Sequence, residues 1–408
     1  MDIDVRPITS DELEAFLTVV EASFGETIEP DLVQRFAKFT DPNRMFAATD
    51  NGTIVGTAGA YDFKLTVPGG AVPAGGVTVV GVLPSHRRRG VLTKMMRTQL
   101  DDEKARGDAV AVLWASEDPI YQRFGYGAAS VQGHIDIARA YTTFTNTEPQ
   151  AGRIHMITSA EALEMFPVVY DRVLQKRPGM YERTPQWWEF HRLSDPESER
   201  EGFSALWHVV WEDDAGELGA YAMYRIKTSW ESGFPEGNLQ VDEAIGVDAN
   251  ATREIWRYLF GVDLITHVTA YHLPSDHPLR FQLVYPRSLR FVSGEALWLR
   301  VIDLPAALQA RTYKQDGTVV MESADDFCPW NAGRWRLDVR DGKGHVAQTT
   351  DPADLELGIG ELGWTYLGET TFAQLAGAGR IRQLSAGAVG TATAMFRWDV
   401  APWCPEVF

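Results

Sequence analysis

The sequence predicts a multidomain chain of mixed α+β and α/β class: two successive α/β modules followed by a third, β-rich region. Three observations lead there. The chain has 408 residues, more than one hydrophobic core usually serves. An order of strand, two helices, hairpin, strand, helix and strand runs from Ile3 to Ser116, and returns in degraded form between Arg153 and Val292. From Ala296 onward, short strands are punctuated by turns such as Gln315-Asp316-Gly317 and Asp341-Gly342-Lys343-Gly344.

Composition narrows the function classes. With 45% hydrophobic and 23% charged residues the chain reads as globular. A formal net charge of −18 argues against nucleic acid and anionic membranes as partners. It suits a polycationic small molecule or a lysine-rich surface, or serves solubility alone. Two cysteines, Cys328 and Cys404, exclude a disulfide scaffold and an all-cysteine metal site. No His-rich pattern suggests a metal, and His86 sits beside arginines, a poor ligand position. Met1 to Val5 lacks a basic n-region and an apolar h-region, and no apolar run reaches membrane-span length. A reduced, cytoplasmic setting is expected.

The first module opens with a short strand, Ile3 to Arg6. Thr9 and Glu12 form a capping-box pair. The helix they start is expected to carry Leu13, Phe16, Leu17, Val20 and Phe24 inward. A second helix is expected from about Pro30 to Phe39, stopping before Asp41-Pro42. Arg44 to Thr49 and Ile54 to Val67 form a hairpin around Asp50-Asn51-Gly52.

The central stretch is Val77 to Leu92. A β-branched run to Val82 predicts a buried strand. After Pro84 comes a basic turn, Arg87-Arg88-Arg89-Gly90, then a helix with Val91, Leu92, Met95, Met96 and Leu100 on one face. Such a unit builds an anion site. First-turn N–H groups and the helix dipole face the ligand, glycine lets the backbone approach, and arginines add charge-assisted hydrogen bonds. The P-loop pattern is absent. Val-x-Val-x-Pro-x-x-Arg-x-x-Gly instead resembles the acyl-CoA site of the GNAT N-acyltransferases, although Leu92 stands where that family has Gly or Ala. The resemblance assigns cofactor contacts to Val80, Val82, Arg87, Arg88, Arg89, Gly90 and Val91.

Asp108 to Ser116 reads as the next strand. It leads into Tyr121-Gln122-Arg123-Phe124-Gly125-Tyr126-Gly127, which resembles the GNAT segment carrying a general-acid tyrosine. That tyrosine is Tyr121. Amine attack on a thioester expels a thiolate, which a phenol of pKa about 10 can protonate. By the same resemblance Ser116 contacts the cofactor.

Val131 to Ile137 reads as a further strand. Polar Thr143 to Gly152 is the first boundary, giving a module over residues 1–150. A second module spans 151–292. There, Asp248-Ala249-Asn250-Ala251 replaces the basic turn, so phosphate meets no counter-charge and no cofactor is expected. Trp187, Trp188, Trp207 and Trp211 are expected in its core or an interface. The third region, 293–408, opens with a strand and short helix, Ala296 to Leu308. Its Gly358-Ile359-Gly360-Glu361-Leu362-Gly363 matches a dinucleotide fingerprint without a β-α-β frame and is read as chance.

End to end, the chain resembles the enhanced intracellular survival (Eis) acetyltransferases. The carrying segments are Ala22-Ser23-Phe24, Pro84 to Gly90, Ala115-Ser116-Glu117, Ile120-Tyr121, Leu297 to Arg300, Pro305 to Leu308 and Tyr366-Leu367-Gly368. The resemblance implies a GNAT domain, a cofactor-free GNAT-like domain and a sterol-carrier-protein-like domain. It also implies acetyl-CoA as co-substrate without a metal, aminoglycosides acetylated at more than one amine, and homohexamers. It places the catalytic base on the terminal carboxylate of Phe408, and substrate contacts at Phe24, Glu26, Phe36 and Glu406. Glu26 and Phe36 depart from the commoner Asp and Trp. Two other readings are a lysine acetyltransferase acting on proteins, which shares every motif, and a lipid carrier or scaffold with a vestigial GNAT half, against which the intact Arg87–Gly90 turn and Tyr121 argue.

Overall fold

The first sheet draws strands from both halves of the sequence. The structure, a computed structural model, describes residues 3–29 and 31–408. Its early elements are β1 (Ile3–Pro7), α1 (Leu13–Phe24), α2 (Leu32–Phe36), β2 (Met45–Asp50), β3 (Thr53–Val67), β4 (Gly70–Val82), α3 (Val91–Arg106), β5 (Val110–Trp114), α4 (Asp118–Gln122) and β6 (Gly127–Ala128). Among the described residues, the sheet order is β1-β2-β3-β4-β5, then Leu297–Val301, then β6. Only β4 and β5 run parallel.

The Thr9–Glu12 capping box is present, and Arg6 binds Glu12 from β1. The second helix is shorter than expected, Leu32–Phe36, and its expected start at Pro30 lies outside the described residues. β4 is longer, because Pro73, Gly75 and Gly76 disguise its first half as turn sequence. Both glycines are needed where they stand. A Cβ on Gly75 would strike the Glu103 carboxyl, and one on Gly76 the Phe63 ring. Successive strand residues face opposite sides, so Glu103 of α3 and Phe63 cover opposite faces of one strand.

Chain contacts divide the molecule into two units. The first comprises residues 1–130, 296–402 and 407–408; the second comprises 131–295 and 403–406. They do not follow the three consecutive segments read from the sequence, and one reason is an exchange of strands. Val131–Ala138, expected to finish the first module, lies in the second sheet. Leu297–Val301, expected to open the third region, lies between β5 and β6 of the first. Either run is apolar enough to serve either sheet, so composition did not reveal which one takes it.

In the first unit, Met95, Met96 and Leu100 of α3 are fully buried, each worth about 1.5–3 kcal/mol of burial. Arg300 is buried with a bidentate partner, Asp325. A further sheet is ordered Lys343–Gln348, Gly333–Arg340, Gly317–Ala324, Leu355–Gly358, Arg382–Gln383. The glycines of Gly358 to Gly363 serve packing. A Cβ on Gly363 would strike the Leu299 carbonyl, and one on Gly127 the Gly360 carbonyl, so helix Ile359–Tyr366 lies close on the sheet edge.

The second unit has its own seven-stranded sheet, ordered Val292–Glu295, Val131–Ala138, Ile265–Pro274, Gly237–Gly246, Leu218–Lys227, Trp207–Asp213, Gly152–Ile157. Read from its far end it repeats the first sheet position for position, including one parallel pair, Gly237–Gly246 with Ile265–Pro274. Trp187, Trp188 and Trp211 are buried, whereas Trp207 is 44% exposed at the start of its strand. Among the described residues, no helix is long and apolar enough to cross a membrane.

Candidate active site

β4 and β5 stay paired only from Ala74–Val110 to Gly76–Val112. Beyond Gly76 they part, and a cavity of about 650 Å³ opens there. On the β3 side, β4 carries two residues, Val79 and Val80, opposite the single Ala58. This is a β-bulge, which bends a strand and re-aims its groups. Val79 has φ of +49°, an outlier for a β-branched residue and a form of strain concentrated at functional sites. The Thr57 hydroxyl donates to the Val79 carbonyl at 2.8 Å, and buried Gln99 donates to the Gly59 carbonyl at 2.7 Å. These bonds brace the bulge.

The cavity floor is the strand-turn-helix unit. Val80, Val82, Arg87, Arg88, Gly90, Val91 and Ser116 line it, as do Leu92 and Thr93. Arg89 is exposed on the turn and does not line it. The first helical hydrogen bond of α3 runs from Lys94 N–H to the Gly90 carbonyl. The N–H groups of Val91, Leu92 and Thr93 precede it, the set a helix leaves without internal acceptors. Arg88 and Gly90 are both left-handed, at φ +61° and +80°, and nothing lies within 4 Å of a Cβ built on Gly90. Arg87 works partly as a strut: its Nε donates to the Val82 carbonyl at 3.0 Å and its Nη2 to the Ser23 carbonyl at 2.7 Å. It ties the end of α1 to β4. Arg123 also lines the cavity. The sequence reading includes Arg123 in the tyrosine segment but gives it no role in the site. Helix terminus, open glycine, Arg88 and Arg123 together fit a pyrophosphate.

Tyr121 stands at the opposite wall on α4. It is 6% exposed, and burial raises its hydroxyl to about 12. Its ring meets Tyr126 edge-on at 5.8 Å. The Phe124 and Tyr126 N–H groups return to the Tyr121 carbonyl. A Cβ on Gly125, at φ +85°, would press on Ile359 and Arg300. The Phe-Gly-Tyr-Gly run is thus the tight turn that holds Tyr121 against the cavity.

The predicted substrate residues separate. Phe24 lines the cavity and, against the expectation that it faces inward, is 55% exposed at the last position of α1. Glu26 is exposed just beyond the left-handed cap Gly25. Phe36 is buried in an aromatic cluster with Phe39, Tyr61 and Phe63. Phe408 joins that cluster, 4.9 Å from Phe63 and 6.5 Å from Tyr61. Phe63 packs over Gly76, the last β4 residue paired with β5, so Phe408 is anchored beside the point where the strands part. Glu406 lies in the second unit instead, buried, its Oε1 accepting from Arg183 Nε at 2.6 Å and Trp187 Nε1 at 3.2 Å.

A splayed parallel pair, a bulged strand and a basic turn at a long helix's N-terminus define an acyl-CoA-type acyltransferase domain. The acetyltransferase (GNAT) domain family matches residues 4–129, a second such family matches 179–301, and the sterol carrier protein domain family matches 304–405. Over the full length of both chains, the sequence is 40% identical to an uncharacterized N-acetyltransferase of Streptomyces avermitilis. It is 30% identical to the N-acetyltransferase Eis of Mycobacterium tuberculosis, covering 98% of each chain. The crystal structure of Eis1 from Mycobacterium abscessus superposes with a TM-score of 0.86 at 30% identity, covering 99% of this chain and all of that one. The chain belongs to the Eis family of N-acetyltransferases, and it is an acetyltransferase enzyme whose fold implies acetyl-CoA as co-substrate.

Proposed function

We propose that the enzyme transfers the acetyl group of acetyl-CoA to amines of polycationic small molecules, aminoglycosides foremost, at more than one position. The observation that carries this reading is the pairing of a phosphate-fitting turn with Tyr121 across one open cavity, in a chain of net charge −18 that draws cations. In the proposed reaction Tyr121 gives its proton to the departing thiolate. Backbone N–H groups at Val80 or Val82 face the developing oxyanion. The carboxylate of Phe408, steadied by the Phe63 cluster, receives the amine's proton or passes it to water. A carboxylate is a weak base toward an ammonium, so its larger contribution is to orient the amine. Assembly into homohexamers and a cytoplasmic location belong to the same reading; light scattering measures the first. The substrate test is thiol release from acetyl-CoA with a panel of aminoglycosides, polyamines and lysine peptides. Turnover confined to peptides would overturn the small-molecule assignment.

A further inference from the structure

The cavity between β4 and β5 is lined by basic side chains, His86, Arg87, Arg88 and Arg123, and by a single acidic one, Glu117. Phosphate accounts for the arginines. The reaction proposed above gives Glu117 no part. It is the N-cap residue of α4, directly after Ser116 and one helical turn before Tyr121.

Capping a helix would be the ordinary role for an acidic residue there. Glu117 does not fill it. Its side chain makes no capping hydrogen bond, and Asp118 supplies the acidic group of the first turn. Only its backbone carbonyl takes part, accepting from the Ile120 N–H at 3.1 Å. Among the described residues no hydrogen bond or ion pair holds the carboxylate. Arg123, six positions on and lining the same cavity, does not pair with it. The residue is also exposed, so the packing of the fold does not depend on it.

Electrostatics gives the carboxylate a use. Phosphates seated on the α3 terminus, Arg88 and Arg123 cancel the positive charge of the cavity. Glu117 is then the one side-chain anion, among the described residues lining it, that faces the same space as Tyr121. In a concave site a carboxylate attracts an ammonium more strongly than it does in bulk water. The reacting amine has to lose a proton, and a second carboxylate beside it would hold that proton more firmly. Another ammonium of the same molecule carries no such penalty.

We infer that Glu117 is a substrate-binding residue, holding a second, non-reacting ammonium of a polyamine substrate one helical turn from Tyr121. This narrows the substrate class to molecules that carry at least two amines. The inference rests on the small-molecule reading of the function and deepens it.

Steady-state kinetics with kanamycin, an aminoglycoside bearing several amines, tests it. Glu117→Gln keeps the side chain's size and removes its charge, and Glu117→Asp keeps the charge on a shorter stem. In Glu117→Gln, KM for kanamycin should rise about tenfold, the usual weight of a hydrogen bond to a charged group. Its kcat and its Kd for acetyl-CoA should stay within about threefold of wild type, at an unchanged melting temperature. Glu117→Asp should recover part of the loss. Added salt should raise KM more steeply in the wild type than in Glu117→Gln. A KM and a salt slope that match the wild type overturn the inference. So does a loss confined to acetyl-CoA affinity, which would make Glu117 part of the cofactor site. A wild-type enzyme that acetylates lysine peptides but not kanamycin overturns the small-molecule reading itself, and this inference with it.

Discussion

The ring of Phe408 stands edge-on to Phe63, with centroids 4.9 Å apart and planes at 89°. Phe63 in turn lies against Gly76, where β4 and β5 cease to pair. An edge-to-face pair is worth about 0.5–1.5 kcal/mol beyond its area burial. Phe63→Ala should therefore loosen the terminal residue. Turnover should fall about tenfold with acetyl-CoA affinity retained, as measured by steady-state kinetics beside calorimetry.

Tyr121→Phe keeps the ring and its contact with Tyr126 while removing the proton. General-acid catalysis is typically worth about a hundredfold to ten-thousandfold, so kcat should collapse while acetyl-CoA still binds. In the wild type, burial keeps this hydroxyl protonated up to about 12. No descending limb in kcat should come from it below about pH 11. A limb near pH 9 that vanishes in Tyr121→Phe would contradict the burial seen here.

The arginines of the turn should not be equivalent. Arg88 and Arg123 line the cavity and Arg89 does not. Arg88→Ala and Arg123→Ala should each weaken acetyl-CoA about tenfold, in line with about 1.5 kcal/mol for a hydrogen bond to a charged group, and more at low salt than at high salt. Arg89→Ala should have a smaller effect. Equal losses at all three positions, measured by calorimetry, would mean that the phosphates bind outside this cavity.

How much of this was legible in the sequence follows the length of each signal. The basic turn, the Thr9–Glu12 cap and the Tyr121 segment are local patterns, and each appears where it was read. The first half of β4 was missed because Gly75 and Gly76 look like turn residues until Glu103 and Phe63 are seen covering them. Arg87 was read as a phosphate ligand, yet two of its donors serve carbonyls at Val82 and Ser23; a local motif does not show what lies across the fold. The burial of Glu406 against Arg183 was hidden for the same reason, the two lying 223 positions apart.

Calorimetry should find one acetyl-CoA per chain. At the second turn the Asp248 carboxylate accepts from the N–H groups of Asn250 and Ala251. The helix terminus that would hold a phosphate already holds an anion. The splay above it is filled by Trp403 and Pro405. Two cofactors per chain would refute this.

Glu103 gives a pH prediction whose sign is fixed by burial. Its carboxyl is raised well above the ordinary value, first by burial and then by Asp108, with Arg44 opposing. Neither oxygen has a hydrogen-bond partner among the described residues. At low pH the folded and unfolded chains both carry the proton. As pH rises above about 4.5 the unfolded chain releases it and the folded chain keeps it, so stability falls with rising pH until the folded value is reached. Glu103→Gln should remove that slope. Thermal melts should show the variant ahead of the wild type at pH 7 and level with it near pH 4.

The exchanged strands also set a timetable for synthesis. When β5 leaves the ribosome its outer edge has no neighbour, because the strand that covers it, Leu297–Val301, has yet to be translated. An exposed apolar edge is a template for pairing with other chains. A fragment ending at residue 150 would keep that edge for good, so cutting the gene at the apparent module boundary should yield insoluble protein.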